Sequence, residues 1–276
     1  MDRRTFLPVK SDIVFRLFYA DERNIEFLIS LLKSMLRLPE DDYYKIEIAD
    51  PYLLREFDGD KLAIIDVKLY TRSRKIIHIE IQLEVKSILE LKKRIVFYDS
   101  KLVTEQIGIG DDYDLIKKVI SIIITDETLI QGSPRYHHRF TLYDPNAGVE
   151  FTDILELHII ELNKLPEIAD GTELYDWAKF IAAETEEELT MIAERNPQVG
   201  KAVVKLRELS ADERARDLYE RREKARRDVA AEKKWAIKQR MFEVAKNLLK
   251  RNRPIDEIIE DTELTREEVE NLRLHL

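Results

Sequence analysis

The 276-residue sequence contains no cysteine, which excludes disulfide bonds and thiolate chemistry and fits a reducing compartment. It also lacks any run approaching the roughly 18–20 apolar residues of a membrane span. "VISIII" is among its longest apolar runs. The opening stretch "MDRRTFLPVKSDIVF" has no apolar core of the signal-peptide type. We therefore expect a soluble cytoplasmic protein with no membrane partner.

Several common catalytic motifs are missing as well. The segment "GIGDDY" lacks the remaining residues of either common glycine-rich phosphate-binding loop, so no nucleotide cofactor is predicted. No G-x-S-x-G sequence is present, which argues against a serine hydrolase. His137 and His138 are adjacent and so lack the i, i+4 spacing of a helical metal-binding pair. Their predicted place is a loop or the edge of a sheet.

The formal net charge of −9 conceals a strong asymmetry along the chain. Residues 1–213 carry −12, residues 214–253 carry +9 and residues 254–276 carry −6. An acidic front domain does not attract nucleic acid over its whole surface. Such a domain would contact nucleic acid at a local basic patch or through a metal ion.

Residue patterns predict a mixed α/β domain over residues 1–165 and a helical region over residues 166–276. The predicted order in the first part is helix, strand, hairpin, helix and three further strands. Ser11 is the predicted N-cap of the first helix. The β-branched segment "LIKKVISIIIT" is typical of a buried strand.

The helical region has two features with open interpretations. The polar stretch "ADERARDLYERREKARRDVAAEKKWAIKQR" predicts an extended helix whose charges form a solvated face or contact nucleic acid. The tail predicts three short helices, with Pro254 at a first helical position and a capping box from Thr265 and Glu268. Its last two helices suggest either a helix-turn-helix or a module for packing and self-association. Three glutamates in the would-be reading helix would be repelled by phosphates.

The segment "LAIIDVKLYTRSRKIIHIEIQLEV", residues 62–85, predicts a hairpin that turns near Ser73. Side chains alternate between the two faces of a strand. One face is wholly apolar and is the predicted core: Ala63, Ile65, Val67, Leu69, Ile77, Ile79, Ile81 and Leu83. The predicted pairs on the other face are Asp66 with Glu80, Lys68 with His78 and Ile64 with Gln82.

The pairing of Asp66 with Glu80 is the feature that suggests chemistry. Like charges on directly opposed strand positions destabilise a sheet. A divalent ion of the Mg²⁺ type between the carboxylates would turn this repulsion into a binding site, and could activate water beside a phosphate. The alternative is a half-exposed hairpin with a hydrated polar face, on which Lys68 offsets the acids. His78 is a weak candidate for a general base, and Tyr98 on the following helix either reaches this face or packs in the core.

Four segments carry a family resemblance: "KSDIVFRLFYADERNIEFLISLL", "DGDKLAIIDVKLYTRSRKIIHIEIQLEV", "RIVFYDSKLVTEQIGIGDDYDLIKKVISIIIT" and "LELHIIELNKL". In this order they resemble the Rpn recombination-promoting nucleases, also called PD-(D/E)XK nuclease family transposases. The resemblance is close over residues 5–165, and the helical tail ending "EVAKNLLKRNRPIDEIIEDTELTREEVENL" is also typical of this family. It implies a restriction-endonuclease-like mixed sheet flanked by helices.

The resemblance also implies roles for individual residues. Asp66 stands at the metal-binding aspartate, Glu80 at its acidic partner, and Asp12 at an acidic position of the first helix that can approach the metal. Asp12 alternatively serves only the helix dipole. Gln82 stands where the wider superfamily usually has lysine; it can orient water but brings no positive charge. The alternation of side chains along the strand, and not the resemblance, suggests that Lys68 on the same face supplies this charge.

The implied function is Mg²⁺- or Mn²⁺-dependent hydrolysis of DNA, linked to recombination or DNA mobility. Two alternatives remain at this point. One is a catalytically weak or inactive nuclease-fold protein that acts in DNA binding or assembly. The other is an interaction scaffold built on the long helices, through which the protein could form a homo-oligomer.

Overall fold

The computed structural model describes residues 6–49, 66–83, 85 and 87–275. Its centre is a six-stranded mixed sheet with the strand order β1-β2-β3-β4-β6-β5. Strands β3, β4 and β6 are parallel neighbours, whereas β1, β2 and β5 pair antiparallel. The strands are β1 Glu47–Ala49, β2 Val67–Tyr70, β3 Ile76–Gln82, β4 Val119–Thr125, β5 His137–Asp144 and β6 Val149–Glu161.

The helices flank the sheet and form the C-terminal part of the chain. They are α1 Asp12–Tyr19, α2 Ile25–Met35, α3 Glu40–Tyr43, α4 Ile88–Thr104, α5 Glu173–Ala182, α6 Glu186–Arg195, α7 Pro197–Ala211, α8 Glu213–Lys250, α9 Ile255–Thr262 and α10 Arg266–Leu274. The predicted order of elements and the mixed α/β fold class are thus confirmed. No helix in the described part of the chain is long and apolar enough to cross a membrane.

The predicted hairpin forms with the predicted register in its described part. Val67 pairs with Ile79 and Lys68 pairs with His78. The turn begins where the amide of Thr71 donates to the carbonyl of Lys75 at 3.0 Å. The same register carried one residue beyond β2 sets Asp66 opposite Glu80. The predicted pairing of Ile64 with Gln82 lies outside the described residues.

One face of the sheet, here called the apolar face, forms the main hydrophobic core. It consists of the odd-numbered residues of β2 and β3 and the even-numbered isoleucines of β4, and these pack against α1, α2, α5 and α7. Trp177 and Phe180 of α5 are fully buried there. The apolar half of the predicted hairpin pattern is therefore confirmed for its described residues: Val67, Leu69, Ile77, Ile79 and Ile81.

The opposite face, here called the α4 face, is covered by a helix. Leu91, Ile95 and Leu102 of α4 pack onto β4 and its neighbouring strands. His78 and Glu80 lie beneath this helix and are almost completely buried. For His78 and Glu80 the alternative of a half-exposed, hydrated polar face is therefore wrong, because α4 covers these two residues.

The chain divides into two compact units, Met1–Tyr219 and Glu220–Leu276. The first unit contains the sheet and also the helices α5 to α7, which pack on the apolar face. The second has its own small core from α8, α9 and α10, built on Ala245, Ile258, Leu264 and Val269. The sequence-based boundary between residues 165 and 166 stays a prediction.

Details of three helix ends refine the sequence predictions. Ser11 occupies the N-cap position of α1, but its side chain makes no capping hydrogen bond. Pro254 precedes the first residue of α9 instead of occupying it, and the first of the three expected tail helices is the end of the long α8. The capping box of Thr265 and Glu268 is present at the start of α10.

Candidate active site

Asp66 lies immediately before β2 and is tied to the neighbouring strand. Its Oδ2 accepts a hydrogen bond of 2.8 Å from the backbone N–H of Ile81. Burial raises the pKa of the Asp66 carboxyl to about 7, against the lowering effect of that hydrogen bond, and the nearby charges of Glu80 and Asp12 raise it further. The fold therefore holds Asp66 where its negative charge is only partly compensated.

Glu80 is buried in the middle of the sheet, with 4% of its surface exposed. Its Oε1 accepts hydrogen bonds from Gln82 Nε2 at 2.7 Å and from Arg94 Nη2 at 3.0 Å. Its Oε2 is buried and has no hydrogen-bond partner among the described residues. Burial raises the pKa of Glu80, although the charge of Arg94 opposes this shift.

Helix α1 places a further acidic side chain and a positively charged side chain near Asp66. Asp12 is the first residue of α1, and its Oδ1 accepts from the amide of Ile13 at 2.9 Å. Its charge contributes to the raised pKa of Asp66, whereas the charge of Arg16, one turn along the same helix, lowers that pKa. The two residues are therefore near Asp66; the approach of Asp12 to a metal, which the family resemblance implies, stays a prediction.

Gln82 and Lys68, the two residues expected to assist the acids, differ in their contacts. Gln82 contacts Glu80 directly. Lys68 lies on the same face but pairs with His78, and its Nζ lies 5.8 Å from the centroid of the Tyr70 ring. No described hydrogen bond or ion pair joins Lys68 to Asp66 or Glu80. The alternation of side chains along β2 correctly predicted the face on which Lys68 lies, but not the direction of its side chain along the strand.

Arg94 is a site residue that the sequence analysis missed. It lies on α4 and forms an ion pair with Glu80 across the helix–sheet interface. A signal existed, since Arg94 adjoins Ile95 in the buried stripe and lies four residues before Tyr98. Tyr98 itself packs against the small core around Leu102, as its core interpretation predicted. Burial raises the pKa of Tyr98, and the charge of Glu80 raises it further.

A second polar group fixes α4 on the sheet next to Glu80. His78 Nε2 lies 3.0 Å from Asp99 Oδ1 and 2.5 Å from Ser121 Oγ. The Ser121 hydroxyl also donates to Asp99. All three side chains are buried, and the Nδ1 of His78 has no hydrogen-bond partner in the described structure. His78 therefore joins strand to helix and does not face solvent as a general base would.

The two histidines at the sheet edge lie away from this site. His137 and His138 begin β5, the edge strand, which confirms the predicted location. His137 Nε2 lies 2.9 Å from His158 Nδ1, and His158 contacts Glu156. Burial lowers the pKa of His137 to about 4, so this histidine is neutral near neutral pH.

The donor set around Asp66 and Glu80 suits a hard divalent cation. Two carboxylates of raised pKa and an unpartnered carboxylate oxygen leave a local deficit of positive charge. Within the described residues no group of three or more His, Asp or Glu side chains has the arrangement of a metal site. Mg²⁺ does not require one, because it is commonly held by one or two carboxylates and several waters.

Comparison with known proteins identifies the family of the chain. No curated protein and no solved structure matches the chain significantly. A family model described as "PD-(D/E)XK nuclease family transposase" matches residues 9–236, which is most of the chain and includes all the site residues described above. The nuclease resemblance is thereby confirmed, and the chain belongs to the PD-(D/E)XK nuclease family transposases.

Proposed function

We propose that this protein is a metal-dependent DNA endonuclease whose active site is centred on Asp66 and Glu80. The observation that carries the proposal is the buried Oε2 of Glu80, which has no hydrogen-bond partner among the described residues and lies beside a second carboxylate of raised pKa. A fold that buries two acids side by side loses stability unless a ligand compensates them. The family description supports a ligand and a chemistry of the nuclease type.

Each residue has a definite part in this proposal. Asp66 and Glu80 would hold Mg²⁺ or Mn²⁺, and Asp12 would add a further acid near Asp66. Bound there, the ion supplies charge neutralisation at the phosphate and a lowered pKa of water. Gln82 orients Glu80 and a water molecule through its amide. Lys68 contributes positive potential from the same face without direct contact.

The wider biological role follows from the same family. The description of its members as transposases favours DNA as the substrate and a link to recombination or DNA mobility. The charge of −12 on residues 1–213 supports contact with DNA at a metal-bearing site and not over a broad basic surface.

A second candidate is a nuclease-fold protein that binds DNA or assembles with partners without efficient cleavage. Two observations favour it: Gln82 supplies no charge, and Lys68 is directed towards Tyr70. Metal binding separates the candidates, because a site that has lost its chemistry has little reason to retain affinity for Mg²⁺.

The deciding experiment is cleavage of supercoiled plasmid by purified protein with Mg²⁺ or Mn²⁺. We expect nicking or linearisation by the wild type and a rate at least about 100-fold lower for Asp66→Ala and Glu80→Ala, because each removes a metal-holding carboxylate. Glu187→Ala, which removes an exposed acid on α6, is the matched control and should cut normally. Cleavage that survives both site variants would overturn the assignment.

Metal binding provides an independent arm of the test. Mg²⁺ should raise the melting temperature of the wild type, because a ligand that binds only the folded state stabilises it. Glu80→Gln should abolish that increase while remaining folded. If neither calorimetry nor melting detects metal binding, and no variant cuts, the non-cleaving candidate is correct.

A further inference from the structure

We propose that Arg94 is the residue that contacts a backbone phosphate of the DNA at this site, in place of the positive charge that Gln82 lacks. The inference rests on the proposed function, since it assumes that DNA is brought to Asp66 and Glu80. It assigns the contact with the phosphate to Arg94 of α4, because neither Gln82 nor Lys68 of the hairpin supplies a positive charge beside Glu80.

The first argument is the position of the guanidinium group. Among the described residues, Arg94 is the one cation that hydrogen-bonds to Glu80, at 3.0 Å. Its side chain is 39% exposed, whereas the Glu80 side chain is 5% exposed. The Arg94 side chain therefore spans from solvent to the buried carboxylate, and it is partly accessible to a ligand that approaches Glu80 from outside.

The second argument is unused hydrogen-bonding capacity. A guanidinium carries five N–H donors in a planar fork that matches phosphate oxygens. The described contacts of Arg94 use only Nη2, and its Nε is buried without a hydrogen-bond partner. Since the Nε is closed off from solvent, an arriving phosphate would bind the remaining N–H donors of the guanidinium group through charge-assisted hydrogen bonds.

The third argument concerns the other positive charges nearby. Gln82 is neutral, and Lys68 Nζ lies over the Tyr70 ring. Arg16 approaches the site from α1 and affects Asp66 electrostatically. Arg94 alone combines direct contact with Glu80 and access to solvent within the described structure.

The alternative is that Arg94 only neutralises Glu80 within the folded protein. The two roles differ in the number of phosphates that the protein contacts. Each phosphate contact contributes about 0.9 to the slope of log affinity against log salt concentration on B-DNA. A purely structural arginine contributes nothing to that slope.

The test measures binding of a short fluorescent duplex to the full chain in EDTA over a range of NaCl concentrations. We expect Arg94→Ala to weaken binding at low salt about 10-fold and to reduce the slope by about 0.9. Arg94→Lys should retain the slope because it keeps the charge. Lys201→Ala, which removes an exposed charge on α7 at the other side of the sheet, is the control and should leave both quantities unchanged.

Folding is checked by thermal melting of each variant. If Arg94→Ala unfolds, Arg94→Gln decides, because glutamine keeps a donor for Glu80 but not the charge; it should lose the same 0.9 of slope. An unchanged slope in the folded Ala or Gln variant overturns the inference, and so does a wild type that binds no DNA.

A parallel cleavage assay separates this inference from the proposed function. If the wild type cuts and Asp66→Ala does not, while Arg94→Ala keeps the wild-type slope, only the role of Arg94 fails. If no variant cuts but Arg94→Ala loses slope, the phosphate contact stands and the nuclease proposal fails. Where both hold, Arg94→Ala should lower kcat about 10-fold or more and Arg94→Lys should recover part of it.

Discussion

Asp66 shows how burial changes the chemistry of a single residue. An aspartate in an unfolded chain has a pKa near 3.9, whereas burial raises the folded value for Asp66 to about 7. Between these values the unfolded chain has released its proton and the folded chain retains it. Folding stability therefore falls as pH rises from about 4 to 7, and below the unfolded pKa the penalty is absent.

This penalty predicts that Asp66→Asn stabilises the metal-free protein. In EDTA near pH 8 the variant should exceed the wild type in free energy of unfolding by about 2–4 kcal/mol, since one pKa unit corresponds to about 1.4 kcal/mol. Near pH 4 the difference should disappear. Urea unfolding at both pH values measures it, with Asp114→Asn, an exposed acid, as the control. A difference independent of pH would contradict the assigned cause.

At the scale of elements, the placement of α4 completes the site. The helix covers the α4 face and brings Arg94 to Glu80 and Asp99 to His78. It begins at a sequence-encoded cap, because the side chain of Ser87 accepts from the amide of Glu90. The cap and the apolar stripe define the helix, but its contacts with the sheet determine which polar residues meet.

Asp99→Ala should loosen this attachment. The change leaves the buried side chains of His78 and Ser121 without their shared acceptor, at a cost of about 1–3 kcal/mol in the free energy of unfolding. Ser121→Ala should cost less, because the contact between His78 and Asp99 remains. Ser100→Ala, an exposed neighbour on α4, serves as the control in urea unfolding. A loss below about 0.5 kcal/mol for Asp99→Ala would show that the network does not hold α4.

At the scale of the whole molecule, the two compact units have separate hydrophobic cores. The larger core joins the sheet to the helices on its apolar face. The smaller one contains a few buried residues from the end of α8 and from α9 and α10. A unit of this size buries a smaller fraction of its surface on folding than a larger unit does, and it is correspondingly less stable.

We therefore expect two unfolding transitions in calorimetry of the full chain. Ile258→Ala, which leaves a cavity in the smaller core, should lower the midpoint temperature only of the transition of Glu220–Leu276. Leu206→Ala removes the same number of carbon atoms from the larger core. It should lower only the midpoint temperature of the transition of Met1–Tyr219. A single transition that both substitutions shift together would show that the units unfold as one.

The sequence alone determined the elements and the faces of the hairpin. Alternation of side chains placed Asp66, Glu80 and Gln82 on one side because strand geometry has a period of two residues. It also predicted the register between Lys68 and His78, since a short turn leaves few pairings. The family resemblance added the expected roles of these residues, which stay predictions until they are tested.

Tertiary structure decided what surrounds them. Nothing in local sequence specifies that α4 lies over Glu80, that Arg94 reaches its carboxylate or that Lys68 turns towards Tyr70, because these contacts depend on how distant segments pack. The raised pKa of Asp66 arises from the same packing, which removes water from the carboxylate. Strand periodicity placed the acids on one face, and the packing of helices against that sheet gave them their electrostatic environment.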